Sequence, residues 1–156
     1  MTKLSLEIEL VPDTSWFNNV RAVVTRAQWD SIRKRVYSAA YDTCEICGGI
    51  GPKHPVECHE IWNYDDSKKL QKLEGMIALC PACHRVKHFG LARVRGLEAQ
   101  TLRHFMKINK LTQKKATQYI TQAFETLAAR SKHAWVVDIS HLKTYGIDIT
   151  KIGERK

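Results

Sequence analysis

The sequence predicts an α+β fold organised by a metal-binding module, and three observations predict it. Two Cys-x-x-Cys pairs, Cys44/Cys47 and Cys80/Cys83, have the ligand set of a closed tetrahedral zinc site. Apolar and polar residues alternate at the N-terminal end from Leu4 to Leu10, and a branched, apolar run from Trp135 to Ile139 lies near the other end. Much of what lies between carries apolar residues at helical spacing. A chain of 156 residues suits one domain with a real core better than two. Residues 1–156 are therefore read as a single domain, with no repeat and no Gly-, Ser- or Pro-rich linker to divide it.

Taken in order, Leu4–Leu10 reads as a half-buried strand ended by Pro12-Asp13, and the Trp135–Ile139 run as its partner in a terminal strand pair. Thr25 with Gln28 forms a Thr-x-x-Gln capping box, after which Trp29, Ile32, Val36 and Ala40 recur at helical spacing, predicting a helix from about Arg26 to about Ala40. Cys44-Glu-Ile-Cys47-Gly48-Gly49 is a metal knuckle whose glycines allow the positive backbone dihedrals of a tight turn. Val56–Trp62 is rich enough in branched and aromatic residues for a short strand, Asn63–Lys69 reads as a loop, and Met76–Leu79 is an apolar approach to the second knuckle. A helix then starts and runs unbroken through His84–His88 to Gly90. Ala99, Leu102, Phe105 and Met106 form one further helical stripe. Ala116 to Leu127 form another, capped by Thr112, so 91–156 is read as a mainly helical C-terminal extension. Trp16, Trp29 and Trp135 are assigned to the core.

The formal charge of +9, from 25 Lys and Arg against 16 Asp and Glu, favours a polyanionic partner. Nine basic residues between His84 and Lys115 face only Glu98, whereas five acids between Glu57 and Glu74 outnumber three lysines. A polyanion is expected on the first stretch and a cation near the second. No run of 18 apolar residues and no signal-peptide pattern is present, so the expectation is no membrane and a cytoplasmic location. Without a secretion signal, paired cysteines point to metal rather than disulfides. The four thiolates are expected to hold a structural Zn2+ that supplies folding free energy. Cys58 is left over and is read as a small buried residue.

The 32 residues between Cys47 and Cys80 are more than a compact zinc ribbon needs, and they carry Cys58-His59-Glu60. On a strand, Cys58 and Glu60 share one face while Glu57, His59 and Ile61 share the other. His84 and His88, four apart on a helix, can meet on one metal.

Cys-x-x-Cys, a short His-containing strand, then Leu-Cys-x-x-Cys-His-x-x-Lys-His resembles the HNH endonuclease family, over residues 44–89. The resemblance implies a ββα-metal module that clasps one divalent cation, Mg2+ or another, between a β-hairpin and a helix. It also implies a one-metal endonuclease that hydrolyses phosphodiester bonds, in DNA rather than RNA. In that family a histidine activates water while the cation stabilises the phosphate and the departing 3′ oxygen. Carried across, Cys44, Cys47, Cys80 and Cys83 match the structural zinc set, and His84 and His88 fall at catalytic-metal ligand positions. The strand admits two registers. In one, His59 binds metal and Glu60 is the base. In the other, His59 is the base and Glu60, or less plausibly Cys58, serves the metal. An imidazole with an ordinary pKa near 6.5 needs less tuning than a carboxyl near 4.3 to take a proton at neutral pH, which favours His59 as base. Gly75 stands where the family commonly has Asn, and Asn63 is the available substitute. Arg85, Lys87, Arg93 and Arg95 are expected to grip phosphates, with a larger effector protein as a further partner. The alternative is a noncatalytic zinc-ribbon binder of nucleic acid, or an adaptor.

Overall fold

The computed structural model describes residues 3–15 and 19–152, which form a mixed α+β structure with a three-stranded sheet. Strand β1 (Glu57–Asp65) pairs antiparallel with β2 (Leu70–Leu79), and the register shifts at a bulge between Ile61 and Trp62. Strand β3 (Val136–Asp138) adds parallel to the start of β2. Six helices accompany the sheet: α1 (Val20–Val23), α2 (Arg26–Ala39), α3 (Pro81–Lys87), α4 (Phe89–Val94), α5 (Glu98–Asn109) and α6 (Gln113–Arg130). Two short 3-10 turns, Ser140–Tyr145 and Ile149–Lys151, close the described chain.

Strand alternation sorts the core into two clusters on opposite faces of the hairpin. Ile77 and Leu79 pack with Val86, Phe89, Phe105 and Ile120 from the helices after the second knuckle, joined by Leu6 and Ile8. Met76 and Ala78 point the other way, to Ile32 and Val36 of α2, Leu142 and Ile147. Phe89 and Phe105 are fully buried, and truncating either to Ala is expected to cost about 3–5 kcal/mol.

Local signals placed several elements. Thr25 and Gln28 form the capping box in full, each side chain accepting the other residue's backbone N–H, and start α2. Thr112 accepts from the Lys115 N–H at 3.3 Å and starts α6. Trp135 is buried and Trp29 packs on the α2 cluster, while Trp16 lies outside the described residues.

Four expectations are corrected. Leu4–Leu10 forms no strand and bends at Ser5–Leu6. Its groups bond helices instead, with the Glu9 N–H donating to the Lys87 carbonyl at 3.2 Å and Leu6 exchanging two bonds with the Asn109 side chain. The terminal strand pair is therefore absent among the described residues, and the Trp135 run pairs with β2. Asn63–Lys69 is mostly strand, since β1 continues to Asp65 and the chain turns over Asp66–Lys69, where Lys69 adopts φ +52°. Its polar residues signal solvent exposure, which a hairpin tip tolerates as well as a loop does. Finally, the helix expected through His88 starts earlier, at Pro81, and breaks at His88 (φ −95°, ψ 46°) before resuming as α4. Pro81 at the first helical position suits that start, having no N–H to leave unsatisfied.

Candidate metal centres

The turn after α2, strand β1 and α3 with the residues that flank it carry two groups of ligating side chains. Cys44, Cys47, Cys80 and Cys83 bring their sulfurs within 4.8 Å of one another. The first knuckle is shaped by its backbone: the Gly48 N–H donates to the Cys44 carbonyl at 2.8 Å with Gly48 at φ +70°, and the Gly49 N–H donates to Cys47 Sγ at 3.4 Å. Gly51 lets the following loop press on α3. A Cβ there would lie 2.2 Å from the His54 carbonyl oxygen and 2.7 Å from the Pro81 ring, so no other residue fits without displacement. Burial, and then the neighbouring sulfurs, push the Cys83 thiol far above the ordinary range. Four sulfurs this close can ionise together only with a cation among them, so the cluster suits a bound metal such as zinc. His104 of α5 places Nε2 3.2 Å from Cys83 Sγ, an outer contact that no sequence spacing announced.

The second group is His59 of β1 with His84 and His88, whose ligating nitrogens also lie within 4.8 Å of one another. The three rings meet edge to face, with centroids 4.6 to 5.3 Å apart. His84 and His88 place their Nε2 atoms 3.1 Å apart. That is about the spacing of two nitrogens on one ion at ~2.0–2.1 Å from each. Side-chain carboxylates stand behind two of the rings: Glu57 Oε2 is 3.0 Å from His84 Nδ1, and Glu9 Oε2 is 2.9 Å from His59 Nε2.

A carboxylate only accepts hydrogen bonds, so His59 donates from Nε2 and His84 from Nδ1. In the neutral tautomers this leaves a lone pair on His59 Nδ1 and on His84 Nε2. Burial lowers the His59 pKa despite the opposing pull of Glu9, so the neutral form prevails at neutral pH. Desolvation followed by the charges of His84 and His59 pushes His88 down to about 3. A protonated triad would repel itself, and a neutral one is ready to share a cation. Lys87 holds Glu9 from the other side at 2.8 Å, which fixes that carboxylate in place.

Comparison of the chain with models of known protein families, with curated proteins and with solved structures finds no match.

The geometry of the site does not bring every expected residue together. Glu60 lies on the opposite face of β1 from His59. Its Oε1 accepts from the Val20 N–H at 2.6 Å and its Oε2 from Trp62 Nε1 at 2.9 Å, so it ties α1 to the hairpin rather than facing the imidazoles. Burial raises its carboxyl above the ordinary range. Cys58 shares that face, half-buried in the α2 cluster, and burial pushes its thiol up to about 12. Asn63 is exposed opposite Lys72, nearer the hairpin tip than His59 is. Gly75 is partnered by Ile61 across the hairpin.

The expected phosphate grip is also redistributed. Lys87 is buried against Glu9 and is not on the surface. Arg93 is held by Glu98 at 2.9 Å and lies over the Phe124 ring at 4.4 Å. Arg85 is half-buried, with Nε enclosed and unpartnered, while Arg95 is exposed. Glu9 is the main residue that sequence reading missed. Fifty positions from His59, it carried no signal beyond being an acid in an apolar run.

Proposed function

We propose that the protein is a metal-dependent endonuclease that hydrolyses phosphodiester bonds, of the HNH type, acting on DNA with the three-imidazole cluster as its centre. The observation that carries this reading is the meeting of His59, His84 and His88 on a hairpin and the helix that follows it, with Glu9 and Glu57 behind them. Carboxylate-backed imidazoles are the common outer arrangement of a metal site. A +9 chain is drawn to a polyanionic substrate.

His84 and His88 would hold the cation. All-nitrogen donors suit a transition-metal ion such as Mn2+, Ni2+ or Zn2+ better than Mg2+, which prefers oxygen, so Mg2+ fits this donor set poorly. The cation would supply Lewis-acid stabilisation of charge at the phosphate. His59, oriented by Glu9, is the base: its Nδ1 accepts a proton from the attacking water, and the Nε2–H stays hydrogen-bonded to the carboxylate, which steadies the imidazolium formed. Against the opposing effect of burial, His59 and then Lys87 keep Glu9 ionised, and Lys87 holds it in position.

A second reading makes His59 the third ligand, and the common 4.8 Å separation favours it. The two readings diverge on one variant. With His59 as base, His59→Ala still binds the second cation but loses plasmid nicking in Mn2+. With His59 as ligand, both are lost. Unchanged nicking in His59→Ala, or no nicking by the unsubstituted protein across divalent cations, would leave a noncatalytic zinc-containing nucleic-acid binder as the better description.

A further inference from the structure

One cleft in the molecule was not announced by the basic stretch after the second knuckle. It is open, about 760 Å³ in volume, and lies between α1–α2 and the start of β1. Arg26, Asp30, Arg33 and Tyr37 line it at i, i+4, i+7 and i+11, which is one stripe of α2, with Trp29 beside them. Arg21 joins from α1, and the cleft reaches Glu57 and His84 of the imidazole site. Ile32 and Val36 anchor the helix to the sheet, Trp29 and Tyr37 pack at the margin of that cluster and stay half-buried, and Arg26 faces out.

The charges in the cleft are not equivalent. Its two acids are occupied, Asp30 by Arg33 at 2.8 Å and Glu57 by His84 at 3.0 Å. Arg21 and Arg26 are exposed and make no ion pair among the described residues. The cleft therefore offers two uncommitted guanidinium groups and two half-buried aromatic rings along a path that reaches His84 of the imidazole site. From Arg26 to Tyr37 the stripe runs about 16 Å at 1.5 Å per residue. That spans roughly five nucleotide steps at the 3.4 Å per-strand spacing of duplex DNA, and fewer of a more extended unpaired strand. Guanidinium groups that track a backbone, interleaved with aromatic faces, are the chemistry that holds an unpaired nucleic-acid strand.

We infer that this α2 cleft is the strand-binding channel, in which Arg21 and Arg26 hold phosphates of a single nucleic-acid strand and Trp29 and Tyr37 offer stacking faces to its bases, delivering the strand to the imidazole site. The inference takes its direction from the nuclease reading, but its test does not depend on cleavage. Binding of a fluorescently labelled 12-nucleotide DNA strand to the zinc-loaded full chain is followed by anisotropy with no other divalent cation present. The double variant Arg21→Gln/Arg26→Gln is expected to bind about tenfold more weakly, with a salt dependence shallower by about 1.4 in log–log slope. Lys114→Gln/Lys115→Gln, the same charge change within the basic stretch, is expected to shift affinity less than about twofold. A strand with abasic sites in place of its bases is expected to bind more weakly than the intact strand. Equal weakening by the two double variants, or none by the α2 pair, overturns the channel. Tighter binding of a duplex than of the strand overturns the single-strand assignment, and abasic binding equal to the intact strand overturns the stacking role. If His59→Ala abolishes nicking while the α2 pair binds normally, the channel fails and the nuclease reading stands. If the α2 pair binds weakly and nothing is ever cleaved, the reverse holds.

Discussion

The sulfur cluster and the imidazole cluster meet at one helix, yet they are built for opposite ends. Cys83 and His84 are consecutive in α3, but Cys83 is fully buried while the His84 side chain is 24 % exposed. The sulfurs are fixed mainly by backbone turns, and three of the four cysteines are buried, Cys83 against His104 of α5, while Cys47 is exposed. The imidazoles are held by acid side chains, Glu57 of β1 and Glu9 of the N-terminal segment, and the α2 cleft reaches one of them, His84. Helical geometry explains the adjacency: consecutive residues point about 100° apart, so one helix can close one site and leave another open. A closed four-ligand site contributes folding energy, whereas an open one with fewer protein ligands leaves positions for water and substrate.

Variants can break this contrast, and the largest effect belongs to the sulfurs. Cys83→Ser is expected to forfeit much of the ~10–16 kcal/mol that a structural zinc contributes to folding, and so to lose the folded state altogether. Circular dichroism with metal analysis checks this, and a folded, zinc-free variant would remove the distinction between the two sites. Next in size, His84→Ala is expected to keep the fold and the sulfur-bound metal while nicking falls by at least ~100-fold, measured on supercoiled plasmid in Mn2+. Glu9→Gln sharpens the contrast further. It keeps a hydrogen-bonding group beside His59 but removes the charge, so nicking should fall by about 10- to 100-fold, and the melting temperature should fall as well because buried Lys87 loses its anion. The smallest effect on activity is expected for Glu60→Gln, which weakens the bonds to Val20 and Trp62. It should destabilise by roughly 1–2 kcal/mol, read as a lower melting midpoint, with nicking near that of the unsubstituted protein. A large loss of nicking with an intact fold would return Glu60 to the site.

Much of this was legible in the residues, and the gaps have physical causes. The two knuckles, the α2 capping box and the Thr112 cap are local, set by spacings of a few residues, and each lies where spacing put it. Strand alternation also separated His59 from Cys58 and Glu60, which the structure places on opposite faces of β1. Contacts between distant segments were not legible. Leu4–Leu10 has the alternation of a strand because one side of it is buried, but its partners are Lys87 and Asn109 rather than another strand, and periodicity reports burial without naming the partner. For the same reason the sequence alone does not distinguish Lys87, covered by Glu9, from a surface base, and the α2 arginines are dispersed in sequence and gathered only by the helix.

The central claim is a second cation held by the imidazoles beside a sulfur-bound one, and calorimetric titration of Mn2+ into the zinc-loaded chain tests it most directly. The account predicts one further binding event per chain, abolished in His84→Ala/His88→Ala while the sulfur-bound zinc stays in place. No binding event in the unsubstituted protein, or an event that survives the loss of both histidines, would contradict it.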